Sequence, residues 1–377
     1  INIVYLCSSK AYKFYFLMYN FFSNLVYKKF TFKLLKKKEN LIIGMAHSNT
    51  ITKLIKKNKT EIICLNNFIN VYLVIILFFK KKKFNQINYY SEAIRIVNPK
   101  IIITSIDTNI SFYKLKNNFP KKKFLSIQNG VRVNNTIKKE NNLNADVNFC
   151  HGYKDINYYK SRINSKIIPL GSIKNNSIPN YKSKKINCLS YISQFREKNE
   201  NQIMKNLFDN SNDNVIWKDY IHSEKKLIIL LNKFCIKNKI TLYIVGVSSN
   251  PVIEKKWYQN LLKKNKLNFV IRKNSNTSYH FLQKSRFIVC MHSTLGYEFL
   301  ARSKKIIFFS RTIKNARVLN HEIKFGWPYI KSYRGFFYSN MINESELTRM
   351  MKNISNCSQK QWLKKISIIK KQIMIYN

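Results

Sequence analysis

Acidic residues are scarce in this sequence. Its 377 residues include 18 Asp and Glu against 68 Lys and Arg, which gives a formal net charge of +50 at pH 7. An excess of this size is typical of proteins that bind nucleic acid, anionic membranes or anionic substrates. Lys, Asn and Ile are abundant along the whole chain, however, as codon bias in an AT-rich genome would produce. We therefore attribute much of the charge to solvated surfaces and not to function.

Motifs that bind metals are missing as well. The sequence has no CxxC pair, no metal-ligand spacing among its six His and no DxD triplet. Seven Cys are scattered, mostly within apolar runs, which argues against zinc sites and disulfides. This pattern predicts buried, reduced thiols in a cytoplasmic protein. Without a DxD triplet, we expect neither a metal ion nor a cofactor to take part in binding a diphosphate group.

No apolar run is long enough to cross a membrane. The most hydrophobic run, VYLVIILFF at residues 71–79, has about half of the ~20 residues that a transmembrane helix needs. Lysines 80–83 follow it directly. Two interpretations remain open: a buried helix with a solvated basic end, or an interfacial helix whose lysines meet anionic headgroups at the inner membrane. The first apolar run, residues 1–7, is too short for a signal peptide and has no basic residues before it.

Apolar strands alternate with helical segments over most of the chain. Helices are predicted at residues 11–38, in the apolar stretch from 66 to about 83, at 110–118 and in a C-terminal pair that begins near Glu344. The predicted strands are 3–7, 41–46, 61–65, 100–105, 123–127, 146–150, 166–170, 186–192, 241–245, 268–271, 287–291 and 306–309. The alternation predicts an α/β fold with two doubly wound parallel sheets.

The chain length allows two domains of about 150–200 residues each. We expect an N-terminal Rossmann-like acceptor domain at residues 1–170 and a polar linker at 171–185. A second Rossmann-like domain for a nucleotide-linked donor follows at 186–345, and a helical segment at 346–377 ends the chain. The two sheets are expected to face each other across a cleft, where a donor and an acceptor can react.

The segment 286–309 carries the most informative pattern, a strand, a polar turn, a helix and a second strand. The turn lies at the amino end of its helix, where free N–H groups and the helix dipole favour an anion. Ser293 and Thr294 offer hydroxyl groups, Gly296 lets the backbone approach a ligand, and Glu298 can accept hydrogen bonds from a ribose or sugar hydroxyl. The alternative is an ordinary turn in which Ser293 or Thr294 caps the helix and Glu298 completes the cap.

Further candidate donor-binding residues in the second half follow other predicted strands: Arg196, Gly246 and Arg272. A departing nucleoside diphosphate develops negative charge, which fixed cations and helix-end amides stabilise without a metal ion. The planar guanidinium group suits phosphate better than an ammonium group does. For both arginines, a surface ion pair is the alternative interpretation.

In the first half, Asp107 is the best candidate for a base that deprotonates an acceptor hydroxyl, because it ends an apolar strand in a chain with few carboxylates. A cap for the helix that begins near Asn109 is an equally good interpretation of Asp107. His47 and His151, which also follow strands, are the next candidates for the base. Gln128 and Asn129 lie in a tight turn whose amides could orient an acceptor sugar.

Four segments resemble a known family: ISQFRE (192–197), SIQNG (126–130), VNPKIIITSID (97–107) and above all HSTLGYEFLARSKKIIFF (292–309). They are similar to bacterial proteins of lipopolysaccharide or capsule biosynthesis, which resemble glycosyltransferases of the GT-B type, with two Rossmann domains. The resemblance implies that Ser293, Thr294 and Gly296 form the donor-binding turn and that Glu298 binds the ribose. The E-x7-E signature of retaining relatives is missing around Glu298, which favours inversion and leaves the base unidentified.

Together these features predict a metal-independent glycosyltransferase that moves a sugar from a nucleotide-sugar donor to a glycan or lipid-linked glycan. A sugar-nucleotide epimerase or a polyol-phosphate transferase with the same fold is the first alternative. The scarcity of acids in the first half argues against an epimerase. The alternative from another class is a non-enzymatic protein that binds polyanions. No specific nucleic-acid partner is expected, because the aromatic residues lie mainly within apolar runs.

Overall fold

The structure is a computed structural model of the 377-residue chain. It describes residues 29–65, 67–131, 137, 140–180, 184–195, 214–248, 250–263, 266–274, 276–291, 293–310, 332 and 334–376, with side chains in the helix at 214–237 described from residue 221. The chain forms two compact units. The first unit contains Ile1–Asn129, Glu140–Asn148 and Ile163–Lys166, and the second contains Gly130–Lys139, Phe149–Arg162 and Ile167–Asn377.

The first unit is built on a parallel sheet with the strand order β3-β2-β5-β6-β7-β8. Strands β7 and β8 begin in the first unit and end in the second. All four residues of β2 are buried, as expected for a parallel strand that is covered on both faces. The elements are β1 (Lys29–Thr31), β2 (Asn40–Ile43), α1 (Ser48–Ile55), β3 (Thr60–Ile63), β4 (Phe68–Asn70), α2 (Val71–Phe79), α3 (Gln86–Val97), β5 (Ile101–Thr104), α4 (Ile110–Asn118), β6 (Lys123–Ile127), β7 (Asn144–Cys150) and β8 (Asn164–Pro169).

The predicted helix at 11–38 is wrong where the structure describes it. Residues Lys29–Thr31 form β1, which pairs in parallel with β4 in a separate two-stranded sheet. The aromatic and β-branched residues of this segment suit a strand once a partner strand is available. The start of the predicted helix at 66–83 is wrong for the same reason, because it contains β4. Asn70 ends β4 and caps α2 by accepting a hydrogen bond from the Leu73 N–H group.

The second unit has a six-stranded parallel sheet with the strand order β11-β10-β9-β12-β13-β14. Strands β12 and β13 are almost entirely buried. The elements are α5 (Lys154–Lys160), α6 (Ile173–Asn176), β9 (Ile186–Ile192), α7 (Asn214–Lys237), β10 (Thr241–Val245), α8 (Pro251–Leu262), β11 (Phe269–Val270), α9 (Thr277–Lys284), β12 (Ser285–Cys290), α10 (Thr294–Ala301), β13 (Ile306–Phe309), β14 (Tyr338–Ser339), α11 (Glu344–Asn356) and α12 (Gln359–Ile373).

Two segments outside the second sheet pack within this unit. The first part of the predicted linker contains α6, and Ser172, Ile173 and Asn175 are buried. The predicted C-terminal helix pair is present as α11 and α12. Trp362 in α12 is fully buried, and its indole N–H group donates to the carbonyl of Ser303. The second unit thus extends on both sides of its predicted range of 186–345.

The predicted α/β fold with two parallel sheets is confirmed. The six cysteines in the described part of the chain are buried, as predicted, and form no disulfide with one another. Cys7 lies outside the described residues. Burial raises the pKa of the Cys290 thiol to about 12, which makes it an inert core residue. Among the described residues, no helix has both the length and the apolarity that crossing a membrane requires.

Gly296 is required by the packing of α10 on β12. A Cβ atom at this position would lie 2.4 Å from the Cys290 Sγ atom and 2.8 Å from its Cβ atom. The structure therefore explains this glycine by close contact between helix and strand. The sequence prediction, which assigned Gly296 to the approach of a ligand, did not include this contact.

We expect Gly296→Ala to destabilise the second unit by about 1–2 kcal/mol, because overpacking outweighs the better helix propensity of Ala. Urea unfolding followed by Trp fluorescence measures this effect, since all four Trp lie in residues 167–377. The double variant Gly296→Ala/Cys290→Ala lacks the sulfur atom in the closest contact. The decrease in free energy of unfolding in the double variant should be smaller than the sum of the decreases in the two single variants. Strict additivity would contradict the steric explanation.

Candidate functional site

Each sheet reverses its strand order at one place, and ligands of open α/β sheets bind outside the carboxyl ends of the strands at such a point. In the second unit, the strands are numbered 1 to 6 by their order along the chain, and they lie across the sheet in the order 3-2-1-4-5-6. The reversal therefore lies between β9 and β12. In the first unit the reversal lies between β2 and β5. The loops that follow these four strands are therefore the candidate sites, and among the predicted site residues that the structure describes they contain His47, Asp107 and Ser293.

In the second unit, the turn after β12 starts α10. The side chain of Ser293 accepts a hydrogen bond from the Leu295 N–H group at 3.3 Å, so Ser293 is the helix cap that one interpretation predicted. The Thr294 hydroxyl oxygen accepts a hydrogen bond from the Val131 N–H group, 3.2 Å away in the same unit. The amino end of α10, with its positive dipole end, thus lies at the switch point of this sheet.

Glu298 is buried and lies in the second turn of α10. Its Oε1 atom accepts a hydrogen bond from the Ser172 hydroxyl at 2.6 Å, and its Oε2 atom accepts one from the Tyr279 hydroxyl. Burial raises the pKa of the Glu298 carboxyl above its ordinary value of 4.5. The alternative in which Glu298 completes the helix cap is wrong, because Glu298 lies in the second turn and accepts hydrogen bonds from Ser172 and Tyr279. A ribose hydroxyl would have to share this carboxylate with Ser172 and Tyr279.

Three cationic groups surround Glu298 and Tyr279. The Lys174 ammonium lies 5.1 Å from the centre of the Tyr279 ring, and burial lowers its pKa, with a further decrease caused by the charge of Arg272. The Arg302 guanidinium lies 5.4 Å from the same ring centre and donates to the backbone and side-chain oxygens of Asn175. The second unit therefore holds positive charge near Tyr279 and Glu298.

Arg272 follows β11 and is exposed. Its guanidinium donates to the carbonyl of Val247 at 3.3 Å, which places it beside the loop after β10. No ion pair of Arg272 is present among the described residues, so the surface ion pair predicted as its alternative is not seen there. Burial lowers the pKa of Lys174 and raises the pKa of Tyr279, and the positive charge of Arg272 adds to the first shift and opposes the second.

Two further buried glutamates hold the loops after β9 and β10. Glu224 in α7 accepts hydrogen bonds at 2.7–2.9 Å from the Gln194 N–H group and from the hydroxyls of Tyr191 and Tyr258. Glu254 in α8 accepts hydrogen bonds from the N–H groups of Val247 at 3.1 Å and of Ser248 at 2.9 Å. These carboxylates fix the backbone at the carboxyl edge of the sheet.

Gly246 makes room for this arrangement. A Cβ atom at this position would lie 2.7 Å from the Phe269 ring and 3.0 Å from the Glu254 Oε2 atom. Its position in the loop after β10 is as predicted, whereas a contact with a donor stays a prediction. Arg196 and His292 lie outside the described residues.

In the first unit, three neighbouring strands bring predicted residues to one edge. Asp107, after β5, is fully buried, and its Oδ1 atom accepts the Asn129 N–H group, after β6, at 3.2 Å. The structure places Asn109 and not Asp107 at the cap position of α4, so the predicted cap is wrong. Gln128 is buried beside Asn129.

His47 follows β2 and starts α1 with a left-handed backbone at φ 53°. Its carbonyl accepts the N–H groups of Thr50 and Ile51. The Ser105 hydroxyl donates to the carbonyl of Ala46, which ties the loop after β5 to the loop after β2. The first unit thus brings His47, Asp107 and the Gln128–Asn129 turn to the switch-point edge of its sheet.

His151 follows β7 and belongs to the second unit, where it is buried. Its carbonyl accepts the Ile375 N–H group at 2.9 Å, and the next residue, Gly152, packs tightly against Gln372 and Ile373. The turn at His151 therefore holds the end of α12. A catalytic role of His151 stays a prediction.

Sequence reasoning missed Lys174, Tyr279, Glu224 and Glu254 as parts of the site. Lys174 was placed in a polar linker, although Ser172 two residues earlier is a helix-cap residue that accepts the Asn175 N–H group. Glu224 and Glu254 lie in predicted helices or beside them, and only their burial shows their role. Within the described residues, no group of three His, Cys, Asp or Glu side chains could hold a metal ion.

The fold is similar to that of several solved enzymes. A crystal structure described as "putative UDP-N-acetylglucosamine 2-epimerase from Listeria monocytogenes" shares 13% identity over 88% of this chain and 91% of that chain, with a TM-score of 0.50. The UDP-GlcNAc 2-epimerase of Methanocaldococcus jannaschii, in complex with UDP-GlcNAc and UDP, gives a TM-score of 0.48 at 13% identity over 88% of this chain and 98% of that chain. The wall teichoic acid polymerase TagF gives 0.47 at 12% identity over 91% and 86%.

The likeness to the Listeria monocytogenes protein concerns the fold alone, and it confirms the predicted GT-B-like fold with two Rossmann-like units. Residues 125–377 match the model of a family described as "putative O-antigen biosynthesis protein". The match covers more than half of the chain, and the chain belongs to this family. The predicted resemblance to surface-carbohydrate biosynthesis proteins is thereby confirmed. Among curated protein sequences, none matches this chain.

The raised pKa of Glu298 predicts a pH-dependent stability. The folded protein prefers the protonated carboxyl, so this preference stabilises it fully below pH 4.5 and is lost as the pH rises through the higher folded-state pKa. Gln at position 298 does not ionise. We therefore expect the stability of Glu298→Gln relative to the wild type to increase as the pH rises above 4.5, in urea unfolding followed by Trp fluorescence.

Glu346→Gln is the matched control with the opposite sign. The hydrogen bond from Arg349 holds the pKa of Glu346 below 4.5, so its carboxylate stabilises the protein above pH 4.5 and this contribution is lost as the pH falls. Relative to the wild type, Glu346→Gln should be least stable at neutral pH and should recover in acid. The same pH dependence in both variants would contradict the assignment for Glu298.

Proposed function

We propose that this protein is a glycosyltransferase that transfers a sugar from a nucleotide-sugar donor to a growing surface glycan. The observation that carries the proposal is the positive edge of the second unit. The Lys174 ammonium lies 5.1 Å from the ring of Tyr279, whose hydroxyl donates to Glu298 in α10, and Arg272 lies beside the loop after β10. Helix α10 begins at the switch point of a sheet with 3-2-1-4-5-6 order. Such an edge suits a diphosphate. Membership of an O-antigen biosynthesis family supplies the biological context.

The chemistry needs negative charge to be stabilised on a nucleoside diphosphate as it leaves. Fixed cations and the amino end of a helix do this without reorganising during the reaction. Burial lowers the pKa of Lys174, and the charge of Arg272 adds to this decrease, so a bound anion would favour the charged form of Lys174. Buried Glu224 and Glu254 keep the neighbouring loops in place. On this proposal, the second unit binds the donor without a metal ion.

The first unit is proposed to bind the acceptor, a glycan or a lipid-linked glycan. Asp107 is the proposed base, because it is a carboxylate at the switch-point edge whose hydrogen bond from Asn129 fixes its orientation. Abstraction of the acceptor proton by Asp107 makes the oxygen a better nucleophile for the anomeric carbon. His47 at the same edge is the second candidate for the base. Gln128 and Asn129 would orient the sugar.

An epimerase of sugar nucleotides is the second candidate function. The fold likeness to the Listeria monocytogenes protein, which is described as a UDP-N-acetylglucosamine 2-epimerase, favours it. The two functions differ in whether an acceptor is needed. Incubation with nucleotide sugars alone, followed by NMR, distinguishes them. A new sugar nucleotide that forms without release of nucleoside diphosphate would support epimerisation and contradict glycosyl transfer.

Binding of nucleoside diphosphates tests the donor site directly. We expect Lys174→Ala and Arg272→Ala each to weaken the binding of a nucleoside diphosphate about tenfold, which corresponds to about 1.4 kcal/mol. Isothermal titration calorimetry in the presence of EDTA measures the affinity without metal ions. Lys284→Ala is the control, because Lys284 is exposed at the opposite edge of the same sheet, just before β12. Unchanged affinity in both site variants, or binding that needs Mg²⁺, would refute the proposed donor site.

Asp107→Asn tests the base. The substitution keeps the shape of the side chain and an oxygen that can accept the Asn129 N–H group. We expect turnover to fall by about 10²–10⁴-fold, because that is the usual contribution of a general base. The affinity for nucleoside diphosphate should stay unchanged. Full activity in this variant would exclude Asp107, and His47→Ala would then be the next variant to assay.

A further inference from the structure

Helix α2 leaves much of its apolar surface exposed. All nine residues from Val71 to Phe79 are apolar, yet only Leu73 and Leu77 are buried. Phe78 and Phe79 are each 78% exposed, and Tyr72 and Ile75 are exposed on the preceding turns. A helix that is apolar on all sides is normally buried, so a face of this kind marks a contact surface.

The small sheet next to α2 continues the apolar surface. Strand β4 leads directly into α2, and its partner β1 pairs Phe30 with Ile69. Phe30, Phe32 and Phe68 are exposed, as is Leu34. The Asn70 side chain, which caps α2, donates to the carbonyl of Lys33 at 2.7 Å and so joins the chain after β1 to the start of the helix. Exposed aromatic side chains therefore extend from the sheet to the end of α2.

Positive charge borders this surface. Lys80–Lys83 follow α2, and all four are exposed. Buried Glu92 accepts hydrogen bonds from Lys80, Lys82 and Arg95, which fixes these cations next to the helix end. The Glu92 carboxylate thus pairs with three cationic residues, and Lys81 and Lys83 are neighbours of two of them in the sequence. Exposed aromatic groups beside a fixed group of lysines have the composition of a surface that binds anionic membranes.

We propose that α2 and the β1–β4 sheet form a membrane-docking surface for an anionic bilayer. The rings of Phe78 and Phe79 enter the boundary between headgroups and acyl chains, and Lys80–Lys83 contact anionic headgroups. The proposal does not depend on the glycosyltransferase activity, because it concerns a surface of the first unit and a different ligand. It would retain the protein at the membrane where lipid-linked glycans are present.

Flotation of the full chain with vesicles tests the proposal. The vesicles consist of phosphatidylcholine with or without about 30 mol% phosphatidylglycerol. The phosphatidylglycerol gives the bilayer an anionic surface. The wild type should float with anionic vesicles. Phe78→Ser/Phe79→Ser should reduce the partition coefficient about tenfold or more, because two aromatic side chains no longer leave water. Ile368→Ser is the matched control, since Ile368 is 75% exposed on α12 in the second unit.

The high charge of the chain requires a second control. Lys81→Ser/Lys83→Ser should weaken binding to anionic vesicles about tenfold or more. The same charge change at two exposed lysines of α12, Lys360→Ser/Lys364→Ser, should have a clearly smaller effect. Equal losses in the two lysine variants would mean that the bilayer attracts the total charge and would overturn the proposal.

Three other outcomes would also overturn it. The wild type could fail to float, or the Phe78/Phe79 variant could bind like the wild type. Finally, analytical ultracentrifugation could show a dimer that the Phe78/Phe79 variant separates, in which case the surface binds a second copy of the chain. Circular dichroism of each variant checks that the change lies in binding and not in folding.

Discussion

The second unit depends on a buried carboxylate that joins three segments far apart in the sequence. Glu298 in α10 accepts hydrogen bonds from Ser172, which caps α6, and from Tyr279 in α9. Removing one partner of such a group leaves a desolvated polar atom, which costs more than the intact hydrogen bond contributes. The position of α10, and with it the turn that starts at Ser293, is therefore set by contacts beyond its own strand and helix.

Most of the acidic residues in the described part of the chain are buried. Glu224 and Glu254 hold the loops after β9 and β10 in the way that Glu298 holds α10, whereas the lysines are mostly on the surface. The overall charge of the chain is therefore a poor guide to its function. Most of the +50 lies on solvated faces, while a few cations, such as Arg302 and Lys174, are held by packing and hydrogen bonds. Only cations of the second kind are preorganised to bind a particular anion.

Sequence patterns predicted the elements whose environment is local. The strands at 186–192, 241–245 and 306–309 and the helix at 110–118 have their predicted bounds, because each is an apolar run or a helical segment between clear boundaries. The segment 29–31 could not be predicted, since its strand exists through pairing with β4. The loops carrying His47, Asp107 and Gln128 were placed correctly at strand ends. The contacts of Lys174 and Glu298 depend on tertiary packing, which no spacing in the sequence reveals.

The charges around Glu298 favour one class of ligand. Lys174, Arg272 and Arg302 carry three positive charges, and Glu298 carries at most one negative charge. Arg302 is buried and Lys174 is half-buried, where water screens their charges less than it screens the charge of exposed Arg272. The diphosphate of a nucleotide sugar carries two negative charges and would neutralise them. A single carboxylate would leave the excess in place, and this balance is the physical reason for assigning the donor to the second unit.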